Sequence, residues 1–226
     1  MNNIQKALEN GQSIWLDSIS RHMLQSGELQ KFIDLGVTGV TSNPSIFDKA
    51  LADSDTYDDA LLDYAKDGAG RQTIFERLAV DDIRDAADVL RPVYDNASRR
   101  DGFVSIEVSP TLANDSEGTI TEARRLWAAI DRPNVMIKVP GTPAGVPAIR
   151  TLISEGINVN VTLLFSLNAY IAAANAYVEG LTEFASSGRG MTAGVASVAS
   201  FFVSRVDTSV DNALPEGHAL LGKIGT

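Results

Sequence analysis

The chain has 226 residues, of which 44% are hydrophobic and 21% charged, a composition typical of a folded protein with one large domain or two small ones. Its formal net charge of −10 argues against nucleic acid and anionic membrane surfaces as partners, since both recruit basic patches. The chain contains no cysteine, which excludes disulfides, thiolate nucleophiles and cysteine-ligated metals.

The N-terminal segment, MNNIQKALENGQS, lacks the apolar core of a signal peptide. No stretch of the chain approaches ~18 consecutive apolar residues, so we expect no membrane span and a cytoplasmic location. We find no linker or low-complexity tract, and we therefore predict a single domain over residues 1–226.

Six short runs of β-forming residues follow one another along the chain and alternate with segments of helical spacing. One helical pattern stops at Gly36, and Asn43-Pro44 supplies a capping side chain followed by proline at the first helical position. Because strands that alternate with helices pair in parallel through crossover units, this order predicts a parallel sheet. The predicted strands cover residues 14–18, 37–42, 103–109, 134–139, 158–164 and 192–200. The main helical segments are predicted at residues 24–35, 44–101, 119–130, 143–154 and 167–186.

These strands carry large apolar residues on one face and polar residues on the other, because strand side chains alternate. Ser105 and Glu107 alternate with apolar neighbours in the third strand, and Asn160 and Thr162 do so in the fifth. A doubly wound sheet, covered by helices on both faces, has near-continuous apolar strands instead. The polar groups concentrate near C-terminal strand ends. The pattern therefore favours an α/β fold of the (β/α)8 TIM-barrel type, with about six of the eight strands evident.

Three ionisable residues, Asp17, Glu107 and Lys138, are predicted on different strands at the same end of this sheet. They form either a buried ion network or a catalytic centre, and their shared position favours catalysis. A lysine on an interior strand needs a partner or a chemical role, because burying an unpaired ammonium is costly. A lysine amine also forms an iminium with a ketone, which accepts the electron pair released when an adjacent carbon–carbon bond breaks.

Other polar residues are interpreted more simply. His22 and His218 are too isolated in the sequence to indicate a metal site or a catalytic triad, and we predict no metal. Arg205 follows the sixth strand and is either a surface residue or a phosphate anchor beside a helix N-terminus. Four acidic residues are expected to face solvent on one helix: Asp81, Asp82, Asp85 and Asp88.

Six motifs, in order along the chain, resemble those of transaldolases. They are WLDSISR around Asp17, VTSNPSIF at 40–47, SIEVSP at 105–110, MIKVPGTPAG at 136–145, INVNVTLLFS at 157–166 and ASFFVSRVD at 199–207. The resemblance covers nearly the whole chain, and TSNPSIF and NVTLLFS are its most specific parts. It implies a β/α barrel of the pentose phosphate pathway that moves a dihydroxyacetone unit between sugar phosphates, with neither metal nor organic cofactor.

The resemblance also implies roles for individual residues. Lys138 matches the family's Schiff-base lysine, Glu107 its general acid/base and Asp17 its strand-one aspartate. The implied contacts to sugar phosphate substrates are Thr41, Asn43, Asn160, Thr162, Ser200 and the phosphate-binding Arg205. A homo-oligomer is compatible with the sequence.

Transaldolase barrels have eight strands, so the six predicted here lead us to expect a family member that lacks its two C-terminal βα units. Two alternatives stay open. Short fructose 6-phosphate aldolases also use a barrel lysine and are similar in length to this chain, but they lack an acid at the position of Glu107. The second alternative is a non-catalytic, incomplete barrel that folds poorly or acts only by pairing with another chain.

Overall fold

A computed structural model describes residues 2–225 of the chain. Its strands, β1 to β6, are Trp15–Leu16, Gly39–Thr41, Val104–Glu107, Val135–Pro140, Val159–Leu164 and Ser197–Phe201. Its α-helices, α1 to α10, are Asn3–Glu9, Arg21–Gln25, Glu28–Leu35, Pro44–Ala52, Asp58–Lys66, Arg71–Asn96, Ser116–Ile130, Gly145–Ser154, Leu167–Ser186 and Val203–Asp211. Short 3-10 turns cover Asp55–Tyr57, Pro110–Leu112 and Thr192–Gly194.

All six strands are parallel and lie in chain order within one sheet. The outward side chains of Val104, Ile137 and Val159 are fully buried in a core that they share with helix residues such as Leu90 and Ile149. The sheet curls with its helices outside, which confirms the predicted α/β architecture of partial TIM-barrel type. Within residues 2–225, β1 and β6 are the two edges of the sheet and do not pair with each other.

The predicted helix signals act where expected. The Asn43 side chain caps α4 by accepting a hydrogen bond from the Ile46 N–H, with Pro44 at the first helical position. Gly36 ends α3 in the left-handed conformation (φ 112°), which glycine adopts without steric cost. No helix within residues 2–225 is both long and apolar enough to cross a membrane.

The sixth strand begins later than the sequence predicts. Thr192–Gly194 form a 3-10 turn, because the Val195 N–H bonds to the Thr192 carbonyl oxygen at 3.0 Å, and β6 starts only at Ser197. The first strand is also shorter than predicted, since β1 pairs with β2 only through Trp15 and Leu16.

The expectation for the acidic residues of α6 is wrong at one position. Asp82 has no solvent exposure, whereas Asp85 and Asp88 are exposed and Asp81 is partly buried. The reason is helical spacing, because Asp82 lies three residues after the buried Ala79 and therefore shares its inward face.

The inner face of the sheet is apolar at the N-terminal ends of the strands. Phe103, Met136 and Tyr94 are buried there, and the partly buried Trp15 packs against them. Gly39 on β2 has no space for a side chain, because a Cβ would lie 2.5 Å from the Trp15 ring. This apolar layer lies below the polar residues, which face the C-terminal ends of the strands.

Candidate active site

Lys138 lies on β4 with its side chain only 9% exposed. Its Nζ donates a hydrogen bond of 2.9 Å to the Ser42 carbonyl oxygen and lies 3.4 Å from Glu107 Oε2. Parallel pairing sets Lys138 beside Glu107 on β3 and Asn160 on β5, so the three side chains come from adjacent strands at one level. The buried amino group is thus held between one carbonyl and one carboxylate.

An open pocket of about 550 Å³ lies at the C-terminal ends of the strands. Small-molecule sites typically measure ~300–1,000 Å³, and this pocket falls within that range. Eight of the nine site residues predicted from the sequence line it: Asp17, Thr41, Asn43, Glu107, Lys138, Thr162, Ser200 and Arg205. Residues separated by most of the chain therefore meet in one pocket, as parallel strands of a barrel require.

The ninth predicted residue, Asn160, lies below this pocket and is 1% exposed. Its Nδ2 donates to the Ser105 hydroxyl at 3.1 Å, and its Oδ1 accepts from the Ser200 hydroxyl at 2.9 Å. The Ser105 carbonyl oxygen in turn accepts from the Ser42 hydroxyl at 2.7 Å. These bonds link β3, β5 and β6 with the end of β2, and they fix the walls around Lys138.

Asp17 and Asn43 lie at the rim of the pocket. Asp17 directly follows β1 and is exposed, and no hydrogen bond or ion pair within residues 2–225 holds its carboxylate. Asn43 uses its Oδ1 to cap α4, which fixes the side chain and leaves the Nδ2 group as a donor for a ligand. The Asn43 side chain is thus held in place by the helix cap and the Asp17 side chain is not, although both line the same pocket.

Arg205 lies in the first turn of α10 and is exposed. Its guanidinium carbon lies 4.6 Å from the centroid of the Phe202 ring, which stacks on Phe165 at a centroid distance of 5.1 Å. No side-chain hydrogen bond from the described residues caps α10, so its first N–H groups and the guanidinium together favour an anion.

Sequence reasoning misses three features of this pocket. Ser42 contacts Lys138 through a backbone carbonyl, and sequence patterns carry no signal for such a contact. Leu163 lines the mouth in the left-handed conformation (φ 59°), at an irregularity in the pairing of β5 with β6. Phe202 also lines the pocket, and the aromatic pair next to Arg205 in FFVSR is the signal that indicates it.

The chain is similar in sequence to proteins of one family. A sequence profile described as Transaldolase/Fructose-6-phosphate aldolase matches residues 14–225. The transaldolase of Trichodesmium erythraeum is 51% identical over 92% of this chain and 55% of its own length. The transaldolase of Thiobacillus denitrificans is 53% identical over 89% of this chain and 56% of its own length. The transaldolase of Thermobifida fusca is 50% identical over 97% of this chain and 61% of its own length. The chain thus spans little more than half the length of the relatives it matches.

Proposed function

Because the chain belongs to the Transaldolase/Fructose-6-phosphate aldolase family, we propose that it acts as a transaldolase and that Lys138 forms the Schiff base that carries the transferred unit. One observation carries this proposal. The Lys138 amino group is nearly buried, lies 3.4 Å from the Glu107 carboxylate and faces the same pocket as Asp17. An amine beside one carboxylate, in a pocket that holds a second carboxylate at the C-terminal end of a barrel sheet, suits acid–base chemistry on a carbonyl compound.

In the first proposed stage, the neutral amine of Lys138 adds to the ketone carbonyl of a ketose phosphate. The resulting carbinolamine loses its hydroxyl group as water and becomes an iminium. Glu107 transfers the protons for this dehydration, either directly or through a water molecule. It is suited to this role because its Oε2 lies within 3.4 Å of Nζ.

In the second stage, Asp17 accepts the proton of the substrate hydroxyl as the neighbouring carbon–carbon bond breaks. The O–H electrons form the carbonyl of the leaving aldehyde, and the carbon–carbon electrons move to the iminium, which becomes a neutral enamine. The enamine then attacks an acceptor aldehyde by the reverse of these steps, and water releases the new ketose from Lys138. The atoms and electrons of these proposed steps balance without a metal or an organic cofactor.

The remaining pocket residues suit a phosphorylated sugar. Thr41, Asn43, Thr162 and Ser200 line the pocket with hydroxyl and amide groups, which pair with sugar hydroxyls, and Asn160 supports Ser200 from below. Arg205 is the proposed phosphate anchor, because its planar donors match phosphate oxygens. We propose sedoheptulose 7-phosphate or fructose 6-phosphate as donor and glyceraldehyde 3-phosphate or erythrose 4-phosphate as acceptor, in the pentose phosphate pathway.

The proposal is tested by treating the chain with fructose 6-phosphate and borohydride, which reduces an iminium to a stable amine. Peptide mass analysis should place the adduct on Lys138, and Lys138→Met is the control that should remove it. Adduct on another lysine, such as Lys49, would contradict the assignment. Transfer to erythrose 4-phosphate, in preference to release of free dihydroxyacetone, separates a transaldolase from a fructose 6-phosphate aldolase. The cytoplasmic location and any self-association stay predictions.

A further inference from the structure

A buried polar cluster lies outside the pocket and has no part in the proposed chemistry. It consists of Arg21 at the start of α2, Tyr57 in the 3-10 turn and Asp82 on α6. Tyr57 is 1% exposed and Asp82 has no exposure. A carboxylate removed from water carries a large desolvation cost, so a cluster of this kind needs an explanation.

The three residues form a closed set of hydrogen bonds. The Tyr57 hydroxyl donates to Asp82 Oδ2 at 2.7 Å, and Arg21 Nε donates to Asp82 Oδ1 at 2.8 Å. The same Tyr57 oxygen accepts from the Arg21 backbone N–H at 2.8 Å, and the Arg21 guanidinium lies 4.8 Å from the Tyr57 ring centroid. The cluster thereby fixes both the side chain and the backbone of Arg21.

Arg21 lies only four residues after Asp17 in the chain. On its other side, Asp17 adjoins β1, an edge strand that pairs with β2 through two residues only. The Asp17 carboxylate itself has no hydrogen-bond partner within residues 2–225. Before Asp17, the loop is held by Trp15, which packs on Phe103 and donates to Asp101 Oδ1 at 3.0 Å; after Asp17, it is held by the buried Ile19 and by the cluster at Arg21.

From this arrangement we propose that Arg21, Tyr57 and Asp82 act as positioning residues, which hold Asp17 at the rim of the pocket. The inference rests on the proposed function of Asp17 as the base in carbon–carbon cleavage. If the cluster loosens, Asp17 moves relative to the bound substrate while Lys138 and Glu107, on interior strands, stay in place. Cleavage should slow, whereas formation of the Lys138 adduct should continue.

The test compares two variants that each lose one tyrosine hydroxyl. Tyr57→Phe removes the bonds to Asp82 and to the Arg21 N–H. Tyr64→Phe is the matched control, because Tyr64 donates a similar bond to the neighbouring Asp81, which meets Arg21 only in an ion pair of 3.9 Å, and has no bond to the loop backbone. For each variant we would measure kcat, KM, the fraction of chain trapped on Lys138 by borohydride, and amide hydrogen exchange over residues 15–22.

We expect Tyr57→Phe to lower kcat by about 10- to 100-fold, because a misplacement near 1 Å costs roughly 10²-fold in rate. Trapped adduct should increase, KM should change little, and exchange over residues 15–22 should accelerate. Tyr64→Phe should match the wild type in all four measurements. Where Tyr57→Phe fails to fold, Arg21→Lys serves instead, because it keeps the charge and the backbone N–H but loses the Nε donor.

The outcomes separate this inference from the proposed function. Wild-type chain without a Lys138 adduct would refute the proposed function. If the wild-type chain forms the Lys138 adduct, and Tyr57→Phe has the same kcat and the same fraction of trapped adduct as the wild type, the positioning role alone is refuted. Unchanged hydrogen exchange over residues 15–22 in Tyr57→Phe would also overturn it, whatever the activity. A lower melting temperature with normal kcat and trapping would reduce the cluster to a structural role.

Discussion

Gly145 begins α8, shortly after the end of β4, and its replacement by alanine tests how closely the backbone fixes Lys138. A Cβ on Gly145 would lie 1.9 Å from the Pro140 carbonyl oxygen, although real Cβ atoms essentially never approach another heavy atom within 3.0 Å. The helix and the strand end must therefore separate by about 1 Å. Pro140 lies two residues after Lys138 on the same strand, so part of this shift reaches the amino group.

A displacement near 1 Å at a reacting group costs roughly 10²-fold in rate. We therefore expect Gly145→Ala to lower kcat by up to about 10²-fold, the full loss requiring the whole shift to reach Lys138. Overpacking of this kind costs about 1–3 kcal/mol of stability, and each kcal/mol lowers Tm by about 2–4 °C in a chain of this size. Gly70→Ala is the matched control, because a Cβ there has no neighbouring atom within 4 Å.

The assay compares both variants with the wild type in donor cleavage, in borohydride trapping on Lys138 and in thermal unfolding. Wild-type turnover and Tm in Gly145→Ala would refute the reasoning that this close approach fixes the end of β4. A lower Tm with unchanged turnover would show instead that α8 absorbs the whole shift. Gly70 is the N-cap of α6, where alanine is less favourable than glycine, so a small fall in Tm is expected in Gly70→Ala. A loss of turnover in Gly70→Ala would mean that the effect on activity comes from alanine at a glycine position, not from the contact.

Three further predictions follow from the same geometry. Glu107→Gln should slow formation and hydrolysis of the lysine adduct, whereas Asp17→Asn should let trapped adduct accumulate. Each variant should lose ~10²–10⁴ in turnover rate. Normal turnover in both variants would show that the two carboxylates have a structural role only. Gly39→Ala should lower Tm, because its Cβ would lie 2.5 Å from an indole ring, and an unchanged Tm would contradict this. Burial, assisted by a hydrogen bond to a carboxylate, raises the pKa of Tyr57, so the unfolded chain loses this phenolic proton at a lower pH than the folded chain. Stability should therefore fall as pH rises above ~10, and chemical denaturation across that range should show a shallower fall in Tyr57→Phe.

Most of the pocket could be predicted from the sequence, because strand alternation places residues two apart on one face. Glu107, Lys138 and Thr162 each follow this rule, and the parallel order of the strands brings their C-terminal ends together. The helix cap at Asn43 was equally predictable, since it depends only on residues within one turn. Patterns of neighbouring residues are sufficient here because the same βα unit repeats along the chain, so each strand end can be predicted in the same way.

Two errors have different physical causes. Helical spacing places Asp82 on the inward face of α6, but the groups that satisfy its buried carboxylate, Tyr57 and Arg21, are 25 and 61 residues away in the chain. The late start of β6 depends on a 3-10 turn that competes with strand formation at Thr192–Gly194. Composition and periodicity describe neighbours along the chain, so partners that are distant in sequence and competing local turns escape them.

The position of each residue within the sheet indicates which step of the proposed reaction depends on the most firmly held side chains. Lys138 and Glu107 lie on interior strands that pair on both sides, and the Lys138 amino group is nearly buried. Asp17 follows one edge strand and Arg205 the other, and both are exposed. Schiff-base formation therefore depends on residues of interior strands, whereas cleavage and phosphate binding depend on exposed residues. This difference is the physical reason why the restraint of Asp17 by the buried cluster matters.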